Sequence, residues 1–147
     1  MSDLRDLYQE VILDHNKRPR NFRVIDPHSH KADGFNPLCG DRVTVFLNVQ
    51  NNIITDVAFQ GNGCAISSAS ASLMTEALKG KPVAEVEKLF QNFHDVVTGE
   101  SEPSASLGKL AVLAGVRDYP SRVKCATLAW HAVRAALENR TETVATE

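Results

Sequence analysis

The stretch from Arg42 to Gln60 constrains this chain more than any other. Val43, Val45, Leu47 and Val49 alternate with other residues at the period of a half-buried strand. Asn51-Asn52 marks a turn and Ile53 to Gln60 reads as a second strand, so residues 42–60 are expected to form an antiparallel hairpin. A hairpin with one apolar face has to bury that face against another layer. The flanking segments offer helices for the purpose.

Leu4, Leu7, Tyr8, Val11 and His15 follow helical spacing, which predicts a first helix over residues 3–16, stopping before Pro19. Residues 17–40 read as irregular, with one short strand near 28–34. Gly61-Asn62-Gly63 is expected to break the hairpin's second strand. Cys64 to Lys79 reads as a Ser- and Ala-rich helix ending at Gly80. Pro82 opens the next helix, with Val83, Val86, Leu89, Phe90 and Phe93 on one face. Residues 98–106 read as polar loop, 107–115 as a short helix and Tyr119-Pro120-Ser121 as a turn. A last helix over 122–139 carries Leu128, Ala129, Ala132, Val133 and Ala136 in a stripe. Residues 1–2 and 140–147 are expected to fray. Neither repeats nor an internal linker interrupt the chain, so 1–147 reads as a single domain. The order argues an α+β fold: a small antiparallel sheet of about three strands with several helices packed on one face.

Composition narrows the function. The 147 residues are 43% hydrophobic and 23% charged, as in an ordinary soluble globular domain. A net charge of −2 makes no electrostatic case for nucleic acid or an anionic membrane surface. No apolar run approaches the roughly 20 residues that span a bilayer. The N-terminus lacks an apolar signal core. The cysteine count is 3, and an odd number suits reduced thiols better than a disulfide framework. The expected compartment is cytoplasmic.

Those cysteines carry the chemistry. Cys39 lies in Asn36-Pro37-Leu38-Cys39-Gly40-Asp41, in a loop feeding the hairpin. Cys64 follows Gly61-Asn62-Gly63 at a strand-to-helix junction, where free N–H groups favour thiolate. Cys125 lies near the start of the last helix beside Arg122 and Lys124, cations with the same effect. Three thiolates plus the Asp41 carboxylate would complete a tetrahedral zinc shell. The same thiolates could carry sulfur or hold an iron–sulfur cluster. Each cysteine alone could equally be a small core residue, a reading least suited to Cys39 between Pro-Leu and Gly-Asp. His28 and His30 read as surface or hydrogen-bonded residues. His15, His94 and His131 read as packing or solvent-facing positions on helices. Ser67, Ser68, Ser70 and Ser72 read as close helix packing rather than nucleophiles.

Taken together, Asn-Pro-x-Cys-Gly-Asp at 36–41, Gly-x-Gly-Cys-x-Ile-Ser-x-Ala-Ser-x-Ser at 61–72 and Arg-x-Lys-Cys-Ala-Thr-Leu-Ala-Trp at 122–130 resemble the IscU/NifU N-terminal family. Asp14-His15 and Arg18-Pro19-Arg20-Asn21 also match, so the likeness spans about residues 4–138. Two features resemble the SufU branch: Lys124, where the scaffold branch has His before its third cysteine, and extra residues near 102–115. The resemblance implies Cys39, Asp41, Cys64 and Cys125 as zinc ligands and Cys39 as sulfur acceptor, with Arg122 and Lys124 beside them. It implies a zinc-dependent sulfurtransferase that takes persulfide sulfur from a SufS-type cysteine desulfurase and passes it to the iron–sulfur assembly machinery. The alternative it implies is a scaffold assembling a two-iron, two-sulfur cluster on the same cysteines.

Overall fold

The computed structural model describes residues 2–37, 40–139 and 144–145. Its elements run α1 (Ser2–Lys17), β1 (His30–Asn36), β2 (Asp41–Gln50), β3 (Ile53–Asn62), α2 (Ala65–Leu78), α3 (Val83–Thr98), a 3-10 stretch (Ala105–Asp118), α4 (Pro120–Leu137) and β4 (Val144–Ala145). The sheet order is β3-β2-β1-β4. The first three strands are antiparallel, and β4 adds a two-residue parallel pairing at Gly34 and Phe35 of β1. Within the segment expected to fray, Val144 and Ala145 thus join the sheet edge; residues 140–143 and 146–147 lie outside the described residues.

The hairpin forms as the alternation requires. Asn51 and Asn52 adopt positive φ of 53° and 63°, the left-handed pair that suits a two-residue hairpin turn. The second strand does not break at Gly61. It runs on to Asn62, with Gly61 paired to Val43. A Cβ there would come within 2.1 Å of the Arg42 carbonyl oxygen, so glycine lets the two backbones close rather than ending the strand. Strand β1 lies two residues later than expected. Its buried residues are Ala32, Gly34 and Asn36, too small and polar to write an apolar stripe.

The helices cover one face. α4 lies across β1 and β2, and α2 packs beside β3, α1 and α4. Val43, Val45, Leu47, Val57 and Phe59 meet Ala129, Ala132 and Val133 in a shared core. Trp130 stacks on Phe93 at 4.9 Å and on Phe90 at 5.8 Å, which locks α3 to α4. On the other face, Ile25, Phe46 and Ala58 form a small second cluster under the segment before β1. Two expectations change at the C-terminal half. The short helix read over 107–115 is a longer 3-10 stretch over 105–118, kinked at Gly108 with φ 54° and ψ −129°. Tyr119-Pro120-Ser121 is no separate turn: Pro120 opens α4 at its first position, where its missing N–H costs no hydrogen bond.

Candidate metal centre

Three chain segments end at the same corner of the molecule. Asp41 is the first residue of β2, Cys64 precedes the first turn of α2, and Cys125 lies in the second turn of α4. One ligand atom from each residue can be chosen so that all lie within 4.8 Å of one another. Asp41 and Cys125 are 2% and 1% exposed, while Cys64 is half-buried, so the cluster has one open side. Cys39 lies outside the described residues.

The carboxylate is aimed by backbone. Asp41 Oδ1 accepts the Cys64 N–H at 3.0 Å, leaving Oδ2 on the side of Cys64 Sγ at 3.8 Å. That seat exists because residue 63 is glycine. A Cβ on Gly63 would sit 3.0 Å from Asp41 Oδ1 and 3.0 Å from Ser67 Oγ. Cys64 has extended dihedrals, φ −70° and ψ 171°, and its side chain makes no capping bond to α2. Its carbonyl starts the helix by accepting the Ser68 N–H at 3.0 Å. Ser70 of α2 donates to the Ala126 carbonyl of α4, tying the two helices together beside Cys125.

Cys125 Sγ receives Asn36 Nδ2 at 3.8 Å and approaches the Ser121 carbonyl at 3.6 Å. Arg122, one turn before Cys125, has its guanidinium beside Cys125 and Cys64. Contact with Cys125 first, then the fields of Cys64 and Cys125, hold it even more firmly charged than usual. This cation offsets the negative charge that deprotonated thiols would bring. Lys124 is half-buried and makes no side-chain ion pair among the described residues.

The donor set fits a thiolate-binding metal. Zinc bonds sulfur at about 2.3 Å and carboxylate oxygen at about 2.0–2.2 Å, which spaces tetrahedral ligand atoms roughly 3.5–4 Å apart. A modest inward movement of the 4.8 Å cluster reaches that spacing.

The other sequence candidates stand apart. His15 is buried against Ser72, Nδ1 to Oγ 2.7 Å. His28 bonds the Ile25 carbonyl at 3.1 Å, and His30 bonds Ser29 Oγ at 2.8 Å. His131 packs edge-on to Phe90 at 5.1 Å. Ser67, Ser70 and Ser72 are buried packing residues. Asn36 and Gly63 stand in the cysteine motifs, but only a spatial neighbour, Cys125 for the one and Asp41 for the other, supplies their role at the site. No helix among the described residues is long and apolar enough to cross a membrane.

Comparison with known proteins gives this geometry a context. Residues 7–126 match the family model of the NifU-like N-terminal domain. The chain is 43% identical over 133 residues to the zinc-dependent sulfurtransferase SufU of Bacillus subtilis, covering 90% of each chain. It is 40% identical over 139 residues to the iron–sulfur cluster assembly scaffold protein IscU of Streptococcus pyogenes, covering 94% of this chain and 87% of that one. Among solved structures, a candidate iron–sulfur cluster assembly scaffold for the SUF system, FiSufU from Fervidobacterium islandicum, superimposes with a TM-score of 0.83 at 34% identity, over 87% of this chain and 94% of that chain.

Proposed function

The chain belongs to the NifU-like N-terminal domain family of iron–sulfur cluster assembly proteins, and from that premise we propose that it is a zinc-dependent sulfurtransferase. The observation that carries this reading is the convergence of Asp41, Cys64 and Cys125 in a chain 43% identical to a SufU sulfurtransferase. Cys39, Asp41, Cys64 and Cys125 would hold the zinc, and Cys39 is the sulfur acceptor. Zinc, when bound, keeps thiols deprotonated and performs no redox chemistry that would oxidise them.

The donor is the persulfide of a SufS-type cysteine desulfurase. The Cys39 thiolate attacks the terminal sulfur of that persulfide. A sulfur–sulfur bond forms on Cys39 as the partner's sulfur–sulfur bond breaks, and the electron pair leaves on the partner's cysteine thiolate. The step therefore needs no external oxidant. The downstream iron–sulfur assembly machinery then takes the sulfur. Asp41, held by the Cys64 N–H, and Arg122, beside Cys64 and Cys125, keep the rest of the site ordered. Arg122 and Lys124 also present positive charge to the incoming persulfide.

The test is sulfur transfer from a purified desulfurase with labelled cysteine. Cys39→Ala should lose acceptance of label while retaining the wild-type circular dichroism. Undiminished acceptance would sink the assignment. The scaffold reading has its own support in the 40% identity to an IscU scaffold protein. Iron and sulfide retained stoichiometrically by the protein purified without oxygen would favour it, and colourless protein carrying one equivalent of zinc would favour sulfur transfer.

A further inference from the structure

We propose that Asn36 is a positioning residue that tunes one sulfur of the metal centre, Cys125, by donating a hydrogen bond to it; this rests on the metal-binding reading above. Asn36 ends β1 and is 0% exposed. Its strand partner is Asp41, so the amide and the carboxylate leave the sheet at the same corner. Its Nδ2 lies 3.8 Å from Cys125 Sγ, on a different element 89 residues away in sequence. Its backbone carbonyl accepts the Gly40 N–H at 2.8 Å.

A buried carboxamide is expensive to place without polar partners, and its N–H groups donate best to a negatively charged acceptor. A Cys125 thiolate is such an acceptor. The bond withdraws electron density from that sulfur, as partners of metal ligands commonly do. It makes Cys125 a poorer nucleophile and a fixed ligand. Among the described residues Cys64 Sγ has no side-chain amide donor; its neighbours are the Asp41 carboxylate and the Arg122 guanidinium. The centre is therefore asymmetric. Cys125 is the anchored sulfur, and reactivity is left to the sulfurs that lack such a donor.

The test replaces zinc by Co2+ and reads the thiolate-to-cobalt charge-transfer band in Asn36→Leu, which keeps the branched shape and removes the donor. Asn36→Asp, nearly isosteric, sets an acceptor against the sulfur instead. Both should move the band to lower energy, the aspartate further, and both should still bind cobalt but about 10- to 100-fold more weakly, the usual scale for a residue that supports a ligand. An unmoved band with full cobalt occupancy in both variants would overturn the proposal. So would loss of the fold in both, which would make Asn36 a core residue only. Loss of cobalt binding by both folded variants would overturn it as well, because Asn36 would then build the site rather than tune one sulfur. The proposed sulfur transfer is judged separately, by Cys39→Ala.

Discussion

The Cys64 N–H donates to Asp41 Oδ1 at 3.0 Å, so the carboxylate at the start of β2 is seated on the backbone that begins α2. Sheet and helix are joined there by a ligand candidate rather than by apolar packing. Removing that carboxylate should therefore cost metal and stability together, because metal bound only to the folded chain adds folding free energy. We expect Asp41→Ala to purify with substoichiometric zinc by elemental analysis and to melt lower than wild type. Full occupancy with normal sulfur transfer would show that another group completes the shell.

Gly63→Ala tests the seat without touching a ligand. The added Cβ would press on Asp41 Oδ1 and Ser67 Oγ, each 3.0 Å away. Overpacking of this kind costs about 1–3 kcal/mol. Urea titration should show that loss. If the metal-free variant is destabilised but the zinc affinity stays unchanged, Asp41 does not depend on this glycine for its position.

Cys64→Ser and Cys125→Ser should both lose zinc, with Cys125→Ser the more damaging to the fold. Cys125 is 1% exposed, whereas Cys64 is half-buried, so the smaller hydroxymethyl leaves unfilled space in the core only at Cys125. A chelator should lower the melting temperature of wild type and leave both variants unmoved. No chelator effect on wild type would mean that metal contributes nothing to holding the three segments together.

Lys124→His separates zinc-based sulfur transfer from cluster assembly. Lys124 precedes Cys125, and a protonated ammonium cannot bind metal. We expect the imidazole to leave zinc content unchanged and to yield little stable cluster on anaerobic reconstitution. A stable visible chromophore with bound iron and sulfide would move the assignment towards the scaffold.

Two histidines should make stability fall in mild acid. Burial is the leading cause that holds His15 below its ordinary range; the Arg20 and Lys109 charges add to it, while Glu76 and Asp14 oppose. Burial also leads for His131, with Arg134 and His94 acting the same way. A histidine whose folded value lies below its unfolded value of 6.5 favours the folded state above that pH, and the benefit is lost as pH falls towards the folded value. The urea midpoint should therefore drop between about pH 7.5 and about pH 5.5. His15→Gln and His131→Gln should each flatten that dependence relative to wild type. Parallel curves for all three proteins would refute it.

The hairpin, the helices and the α+β class were legible in the sequence because each depends on neighbours in the chain. The alternation of Val43, Val45 and Leu47 and the Asn51-Asn52 turn are local, and a period of two or 3.6 residues survives in any surroundings. The cysteine motifs were legible for a different reason: their resemblance to a known family names residues without needing their distances. Tertiary structure decided the rest. β1 carries Ala32, Gly34 and Asn36 where a strand signal would need larger apolar residues, because α4 lies close over it. Gly61 reads locally as a breaker, yet it is the residue that lets β3 close on the Arg42 carbonyl. Phe46 falls off the alternation because it serves the second cluster with Ile25 and Ala58. The site follows the same rule. Asp41 to Cys64 and Asn36 to Cys125 are contacts across 23 and 89 residues, and such distances are set by how strands and helices stack, not by any periodicity within them.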